Sequence, residues 1–280
     1  MKEARYYKKL DNKRVRCFLC PQLCYIPDNG KGLCQARANY EGILYSESYG
    51  KVTILQLAKY SPTNTEKKIL RVGSYGCNLK CQYCNNFSQS QLISDNMEFQ
   101  ELLPSQLIEL AVSEKKNGNM GIEFTYNEPL VGFEYVIDCC KLAKEKGLTT
   151  RIFTNGFIMP EPLKELLLVC DSLNIGIKGT NNDDYRKIGG NMDVIKKNIA
   201  TTNNVGELGV SLLLGPFKSS STEDVSALLK WIGEINPEMP FALRKFIPAF
   251  KMKDCLATSD ETFAEAGRIA NTYLKNVFLG

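Results

Sequence analysis

The chain has 280 residues, of which 44% are hydrophobic and 24% charged, and its formal net charge is +4. This is enough apolar sequence to bury a full core, in one large domain or two smaller ones. The basic residues are spread along the chain with few dense runs, so charge does not argue for nucleic-acid binding.

The N-terminal segment after Met1 has no apolar stretch typical of a secretory signal, and no uncharged run reaches the length of a membrane span. The sequence therefore predicts a cytoplasmic protein with no membrane association. Eleven cysteines, an odd number, indicate metal ligands and buried thiols rather than disulfides in a reducing compartment.

The first cysteine group lies near the N-terminus. Its members are Cys17, Cys20, Cys24 and Cys34, with a turn-rich stretch of Pro, Asn and Gly before the last. Four thiolates at such spacings satisfy a closed tetrahedral site, for which zinc or a mononuclear iron fits best. A second cubane iron–sulfur cluster also takes four cysteines, and the sequence does not decide between these metals. The alternative is four unliganded thiols in a small core.

The remainder alternates between short apolar strands and helical patterns. Strands are predicted at 69–75, 121–126, 149–154, 173–178, 207–214 and 241–247, and helices at 104–116, 131–146, 161–169, 191–203, 222–235 and 260–275. Such alternation implies a parallel sheet with right-handed crossovers. Six units predict an α/β fold, a partial (β/α)6 TIM-like barrel. We expect a four-cysteine cap at 1–62 and the barrel at 63–280.

The second cysteine group follows the first predicted barrel strand. Cys77, Cys81 and Cys84 occupy one short loop, no further cysteine occurs before Cys139, and the chain contains no histidine. Three thiolates suit three irons of a cubane cluster and leave the fourth iron open to a ligand that the protein does not supply. A structural zinc site would instead require a fourth Cys or His nearby.

Polar residues stand where later strands are predicted to end. They are Thr125, Tyr126, Asn127 and Glu128 after the second strand, Thr154 and Asn155 after the third, and Lys178 after the fourth. Barrel enzymes place their chemistry at the carboxyl ends of the strands. Each residue alone is also an ordinary turn residue, or in the case of Lys178 an ordinary exposed lysine.

The spacing of the Cys77 group, with aromatic Tyr83 just before the third cysteine, resembles the signature of the radical S-adenosylmethionine (radical SAM) enzymes. Over nearly the whole chain, the order of motifs resembles the radical SAM proteins of the AmmeMemoRadiSam system, which are related to pyruvate formate-lyase activating enzymes. The resemblance implies a [4Fe-4S] cluster that reductively cleaves SAM to methionine and a 5′-deoxyadenosyl radical. That radical takes a hydrogen atom from an unknown small-molecule or protein substrate.

The same resemblance implies the residues that contact SAM: Tyr83, Thr125, Tyr126, Asn127, Glu128, Thr154, Asn155 and Lys178. It assigns no catalytic side chain, and it implies a flavodoxin- or ferredoxin-type electron donor. Two acids that activases use at a cation site are replaced by Gly176 and Phe153, which argues against such a site here.

Two alternatives remain open at this point. One is an activase that makes a glycyl radical on a separate enzyme, and the other is a non-catalytic scaffold that binds an iron–sulfur cluster or zinc. Among the other cysteines, Cys139, Cys140 and Cys170 are predicted to fill the core. Cys255 follows the last barrel strand, where a substrate-side thiol is conceivable on location alone.

Overall fold

The computed structural model describes residues 1–61, 64–94, 96–215 and 221–280. The chain divides into two compact units. The first comprises Met1–Asn78, Asn86–Phe153 and Ile158–Asp171, and the second comprises Leu79–Asn85, Thr154–Phe157 and Ser172–Gly280. The predicted domain boundary between residues 62 and 63 lies outside the described residues and stays a prediction.

The N-terminal part of the first unit consists of small antiparallel sheets. Its strands are β1 Lys2–Glu3, β2 Tyr7–Lys9, β3 Val15–Cys17, β4 Tyr25–Ile26, β5 Arg37–Tyr40, β6 Ile43–Ser46 and β7 Lys51–Val52. They form the orders β1-β6-β5 and β2-β3-β4, and β7 pairs with β10, Gln100–Glu101. Short strands joined by tight turns leave the cysteines at turns and strand ends.

The rest of the first unit carries the start of the α/β alternation. Its strands are β8 Ile54–Ser61, β9 Asn64–Gly73, β11 Asn119–Phe124 and β12 Thr149–Thr154, in the order β8-β9-β11-β12. Its helices are α1 Phe87–Ser90, α2 Pro104–Ser113, α3 Phe133–Glu145 and α4 Pro160–Leu167. Strand β8 pairs antiparallel with β9, whereas β11 runs parallel to both β9 and β12.

The second unit continues the alternation. Its strands β13 Ser172–Ile177, β14 Glu207–Leu214, β15 Phe241–Lys245 and β16 Val277–Leu279 pair in parallel in that order. Its helices are α5 Asn182–Lys187, α6 Met192–Asn203, α7 Thr222–Ile235 and α8 Asp260–Tyr273. Side-chain oxygens of Asn191, Ser221 and Ser259 accept backbone N–H bonds at the starts of α6, α7 and α8, where amides have no partner within the helix.

The predicted strands and helices are confirmed within a few residues of their bounds. The predicted end of the second helix is also confirmed, because α3 stops before Gly147, which has a φ of +61°. The sequence analysis missed β8, since a lone antiparallel strand before the alternation has no helical partner to reveal it. It also missed α5, a six-residue helix.

Candidate functional site

The loop that follows β9 begins in the first unit and is held by the end of the neighbouring strand β11. The Asn127 side chain accepts from the backbone N–H of Ser74 at 3.0 Å and donates to the carbonyls of Tyr75 at 3.1 Å and Gly76 at 3.3 Å. The N–H of Glu128 donates to the same Gly76 carbonyl at 3.2 Å. Parallel pairing of β9 with β11 brings the two loops side by side, so Asn127 positions the backbone that leads into Cys77.

The turn that carries Tyr126 has an unusual backbone. Tyr126 adopts a φ of +75°, a left-handed conformation that costs a non-glycine residue of order 1–3 kcal/mol and is often retained at functional sites. Its hydroxyl donates to Gln56 at 2.7 Å. The next acid, Glu128, is buried, and its carboxylate accepts from the N–H of Leu130 at 3.1 Å. Thr125 starts the turn and donates its N–H to Val72 at 3.0 Å.

The start of the loop also lies directly against the N-terminal cysteines. The N–H of Cys77 donates to the carbonyl of Cys34 at 3.2 Å. At Gly76, whose φ is +91°, an added Cβ would stand 2.5 Å from that carbonyl oxygen and 3.0 Å from the Cβ of Ala36. Only glycine fits this approach, for both steric and conformational reasons.

The residue after Cys77 makes the second contact with the N-terminal segment. The carbonyl of Asn78 accepts from the Gln22 side-chain amide at 2.8 Å. The Asn78 side chain forms a hydrogen bond with the Cys20 thiol, although burial still raises the pKa of that thiol to about 12. Residues of the first cysteine group therefore touch both Cys77 and Asn78.

The four N-terminal cysteines are free thiols that lie close to one another. Cys17 and Cys34 are buried, Cys20 and Cys24 are half-buried, and the N–H of Cys17 donates to the Cys24 carbonyl at 2.9 Å. Burial raises the pKa of Cys34 to about 11, and the neighbouring thiols act in the same direction. In the part of the chain that is described, no three Cys, Asp or Glu side chains are grouped tightly enough to hold a metal ion.

A buried ion pair faces these thiols, and sequence reasoning missed it. Arg37 is 1% exposed and donates through Nη2 to the Glu134 carboxylate at 3.0 Å and to the Arg5 carbonyl at 2.6 Å. Within the described residues, its Nε and Nη1 have no hydrogen-bond partner. Its positive charge acts on Cys17 and Cys34. An arginine three residues after the last cysteine of the group is the only sequence signal that pointed to it.

The second unit holds the other two cysteines of the loop, Cys81 and Cys84. Cys81 is buried, which raises the pKa of its thiol to about 11, while the Lys178 ammonium acts to lower it. The buried Tyr83 hydroxyl forms hydrogen bonds with the Lys178 carbonyl and the Cys81 thiol. Tyr185 accepts from the N–H of Lys178 at 3.1 Å. The structure thus gathers Cys81 with two predicted SAM-contact residues, Tyr83 and Lys178, and Lys178 is half-buried.

Thr154 and Asn155 form a tight turn in the second unit. The Thr154 hydroxyl accepts from the N–H of Gly156 at 3.1 Å, and the Asn155 side chain accepts from Phe157 at 2.8 Å. Both side chains are buried, and Gly156 has a φ of +72°. Their polar atoms shape this turn, and their predicted contact with SAM stays a prediction.

The remaining cysteines lie apart from these features. Cys139 and Cys140 are buried in α3, which confirms the prediction that they fill the core. Cys170 is half-buried and Cys255 is exposed.

Comparison with known proteins identifies a family and several relatives. The sequence profile "Radical SAM superfamily" matches residues 72–232. An uncharacterized protein of Methanocaldococcus jannaschii is 34% identical over all of this chain and 85% of its own length. The pyruvate formate-lyase-activating enzyme of Clostridium pasteurianum is 31% identical over 41% of this chain and 48% of its own.

Several solved structures are similar in fold. Streptococcus suis SuiB bound to S-adenosylmethionine gives a TM-score of 0.54 at 15% identity, over 74% of this chain and 48% of the other, so the chain spans about half of that protein. This likeness, together with the parallel βα alternation, confirms the predicted fold class, an α/β partial barrel. The cysteine cap is not part of what the likeness confirms.

Proposed function

Because the chain belongs to the radical SAM superfamily, we propose that it cleaves S-adenosylmethionine reductively and transfers the resulting radical to a substrate. The chain is an enzyme, as its family membership predicts, and its relation to the activating enzymes is confirmed. The alternative of a non-catalytic scaffold is therefore not carried further.

The chemistry of the donor set is the observation on which the proposal rests. Cys77, Cys81 and Cys84 supply three thiols with the superfamily spacing, directly after a barrel strand. A [4Fe-4S] cluster bound there would supply one electron to the sulfonium of SAM, whose C–S bond breaks to leave methionine and a 5′-deoxyadenosyl radical. This chain's own residues hold the loop, orient SAM and exclude competing reactants.

The residues proposed to contact SAM act through the turns that they form. The left-handed Tyr126 begins the stretch Tyr126–Glu128, where the superfamily resemblance puts the SAM amino group. For Asn127 the proposed contact is made by the main chain, since its side chain is bonded to the Cys77 loop. Thr125, Thr154, Asn155, Tyr83 and Lys178 complete the proposed set.

A zinc or iron ion at Cys17, Cys20, Cys24 and Cys34 is part of the proposal. Four buried or half-buried thiols in one small region support it. Metal binding would displace the protons of these four thiols, and that exchange would couple the metal to the folding of the N-terminal segment. The division into a cap at 1–62 and a barrel at 63–280 is proposed with it.

A flavodoxin- or ferredoxin-type protein is proposed as the electron donor, and the cytoplasm as the location. None of the eleven cysteines, all of which lie within the described residues, forms a disulfide, which supports a reducing compartment. Among the described residues, the structure contains no helix with both the length and the apolarity needed to cross a membrane.

A second candidate function is activation of a glycyl-radical enzyme. The likeness to the Clostridium pasteurianum activating enzyme, and to a putative glycyl-radical enzyme activating enzyme, favours it. A protein glycyl radical, seen by electron paramagnetic resonance after mixing with a candidate partner, would decide for this function.

Anaerobic reconstitution tests the main proposal. The purified chain is loaded with iron and sulfide, reduced with dithionite and given SAM, and 5′-deoxyadenosine is measured. We expect its formation by the native chain and by Cys255→Ser, which removes an exposed thiol outside the loop. A loaded cluster that yields no 5′-deoxyadenosine would overturn the proposal.

A further inference from the structure

The N-terminal cysteine group and the Cys77 loop form one connected piece of the first unit. The Cys34 carbonyl accepts from Cys77 at 3.2 Å, and the Gln22 amide donates to Asn78 at 2.8 Å. The Gly76 backbone approaches Cys34 so closely that no side chain would fit. A movement of the cysteine group must therefore move the residues that carry the first thiol of the loop.

The buried Arg37 indicates what the cysteine group binds. A buried guanidinium with two unpartnered N–H-bearing nitrogens is costly, and native structures rarely leave such groups without an acceptor. Neutral thiols are weak acceptors. Four thiolates around one divalent ion carry a net charge of −2 and accept charge-assisted hydrogen bonds, so they would supply the acceptors that Nε and Nη1 lack.

Binding of an ion would reach the loop through Cys34. The four thiols are close enough to one another for electrostatic interaction. A single ion would hold each of the four sulfurs at roughly 2.3 Å. Cys34 then moves or becomes fixed together with its carbonyl, the acceptor for Cys77.

We propose that the four N-terminal cysteines bind one tetrahedral thiolate-coordinated ion, Zn²⁺ or Fe²⁺, and that this ion fixes the Cys77–Asn78 part of the cluster loop. Arg37, held by Glu134, is a positioning residue that hydrogen-bonds to the sulfurs. The role in the loop rests on the proposed function, SAM cleavage at the Cys77 loop, whereas binding of the ion does not depend on that reaction.

The test uses the full chain with Cys77, Cys81 and Cys84 all changed to alanine, so that only the N-terminal group can bind. Zn²⁺ or Fe²⁺ is added anaerobically, metal per chain is measured, and hydrogen exchange is followed in peptides covering residues 74–78. We expect one ion per chain with either metal, and amide exchange slowed by at least about tenfold at these residues. The ion found in the natively expressed protein distinguishes zinc from iron.

Matched variants separate this effect from general stabilisation. Adding Cys20→Ala to the test chain should abolish both stoichiometric binding and slowed exchange, whereas adding Cys255→Ala should change neither. Gln22→Met should keep the ion but let the 74–78 amides exchange about threefold faster, because it removes the side-chain bond to Asn78 without touching a thiol.

Several results would overturn the inference. They are binding without slowed exchange at residues 74–78, no stoichiometric binding, and reconstitution with iron plus sulfide that gives about four irons and labile sulfide per chain, as a cubane would. None of these measurements needs SAM cleavage. If the native chain shows metal-dependent amide exchange but does not cleave SAM, the proposed function alone is overturned. If it cleaves SAM but shows no metal-dependent amide exchange, the inference alone is overturned.

Discussion

The surroundings of the N-terminal cysteines differ from those of Cys81. The first group lies beside Arg37, a cation already neutralised by the buried Glu134. Cys81 lies near the half-buried Lys178 and the hydroxyl of Tyr83. A cation that is paired with an acid costs less to bury than an unpaired one, which agrees with the deeper burial of Arg37.

The largest expected effect is on catalysis. Cys81→Ala should lower 5′-deoxyadenosine formation by more than about 100-fold, since loss of a cluster ligand exceeds the effect of losing an outer partner. Its free energy of unfolding should change little beyond the loss of one buried side chain. Cys255→Ser is the control and should keep full activity. Near-native activity in Cys81→Ala would contradict the assignment of this thiol to the cluster.

The second prediction concerns the buried ion pair of Arg37 and Glu134, which lies beside the N-terminal cysteines. Glu134→Gln should lower the free energy of unfolding by about 3–5 kcal/mol, because it leaves the Arg37 charge buried and unpaired. Urea denaturation measures this loss. The double change Arg37→Met with Glu134→Met should recover much of it. Measured in metal-free protein, a double variant as unstable as the single one would contradict the assignment of this loss to an unpaired Arg37 charge.

The close approach at Gly76 gives a smaller effect that depends on contact with Cys34. Gly76→Ala should lower the unfolding free energy by about 1–3 kcal/mol, through backbone strain and collision with the Cys34 carbonyl. Gly147→Ala is a matched control, because Gly147 also has a positive φ but has open space around its Cβ position. Equal losses in the two variants would mean that the approach to Cys34 adds nothing.

The smallest expected effect concerns acid stability where Arg5 and Tyr6 contact Glu165 of α4. Burial alone would raise the pKa of Glu165, but bonds from Arg5 and Tyr6 outweigh it and lower that pKa below its ordinary value of 4.5. A lowered folded-state pKa stabilises the protein above pH 4.5, and this stability is lost as the pH falls through the folded-state value. Because the pair is partly exposed, the contribution is below about 1 kcal/mol.

Glu165→Gln should therefore flatten the loss of unfolding free energy below pH 4.5 and slightly lower stability at pH 7. Denaturation series at several pH values provide the measurement. Glu161→Gln, an exposed acid on the same helix, is the control. A steeper acid loss in Glu165→Gln would reverse the sign argued here.

Many strands and helices could be predicted from the sequence because hydrophobic periodicity is a local property of the chain. The strand at 207–214 and the helix at 222–235 have the bounds predicted from hydrophobic periodicity. The cysteine spacings were equally plain, because the distance between thiols on a short loop is limited by the chain itself. Lone elements such as β8 and α5 lack the repeating pattern and were missed.

By itself, the sequence determined the βα alternation, the two cysteine groups and the likeness to the radical SAM superfamily. Tertiary structure alone decided that Asn127 holds a loop 53 residues away, that Arg37 meets Glu134 across 97 residues, and that Cys34 meets Cys77. The physical reason is that propensity and spacing act within a few residues. Pairings over such separations depend on which strands become neighbours, and on which buried charges and amides then find a partner.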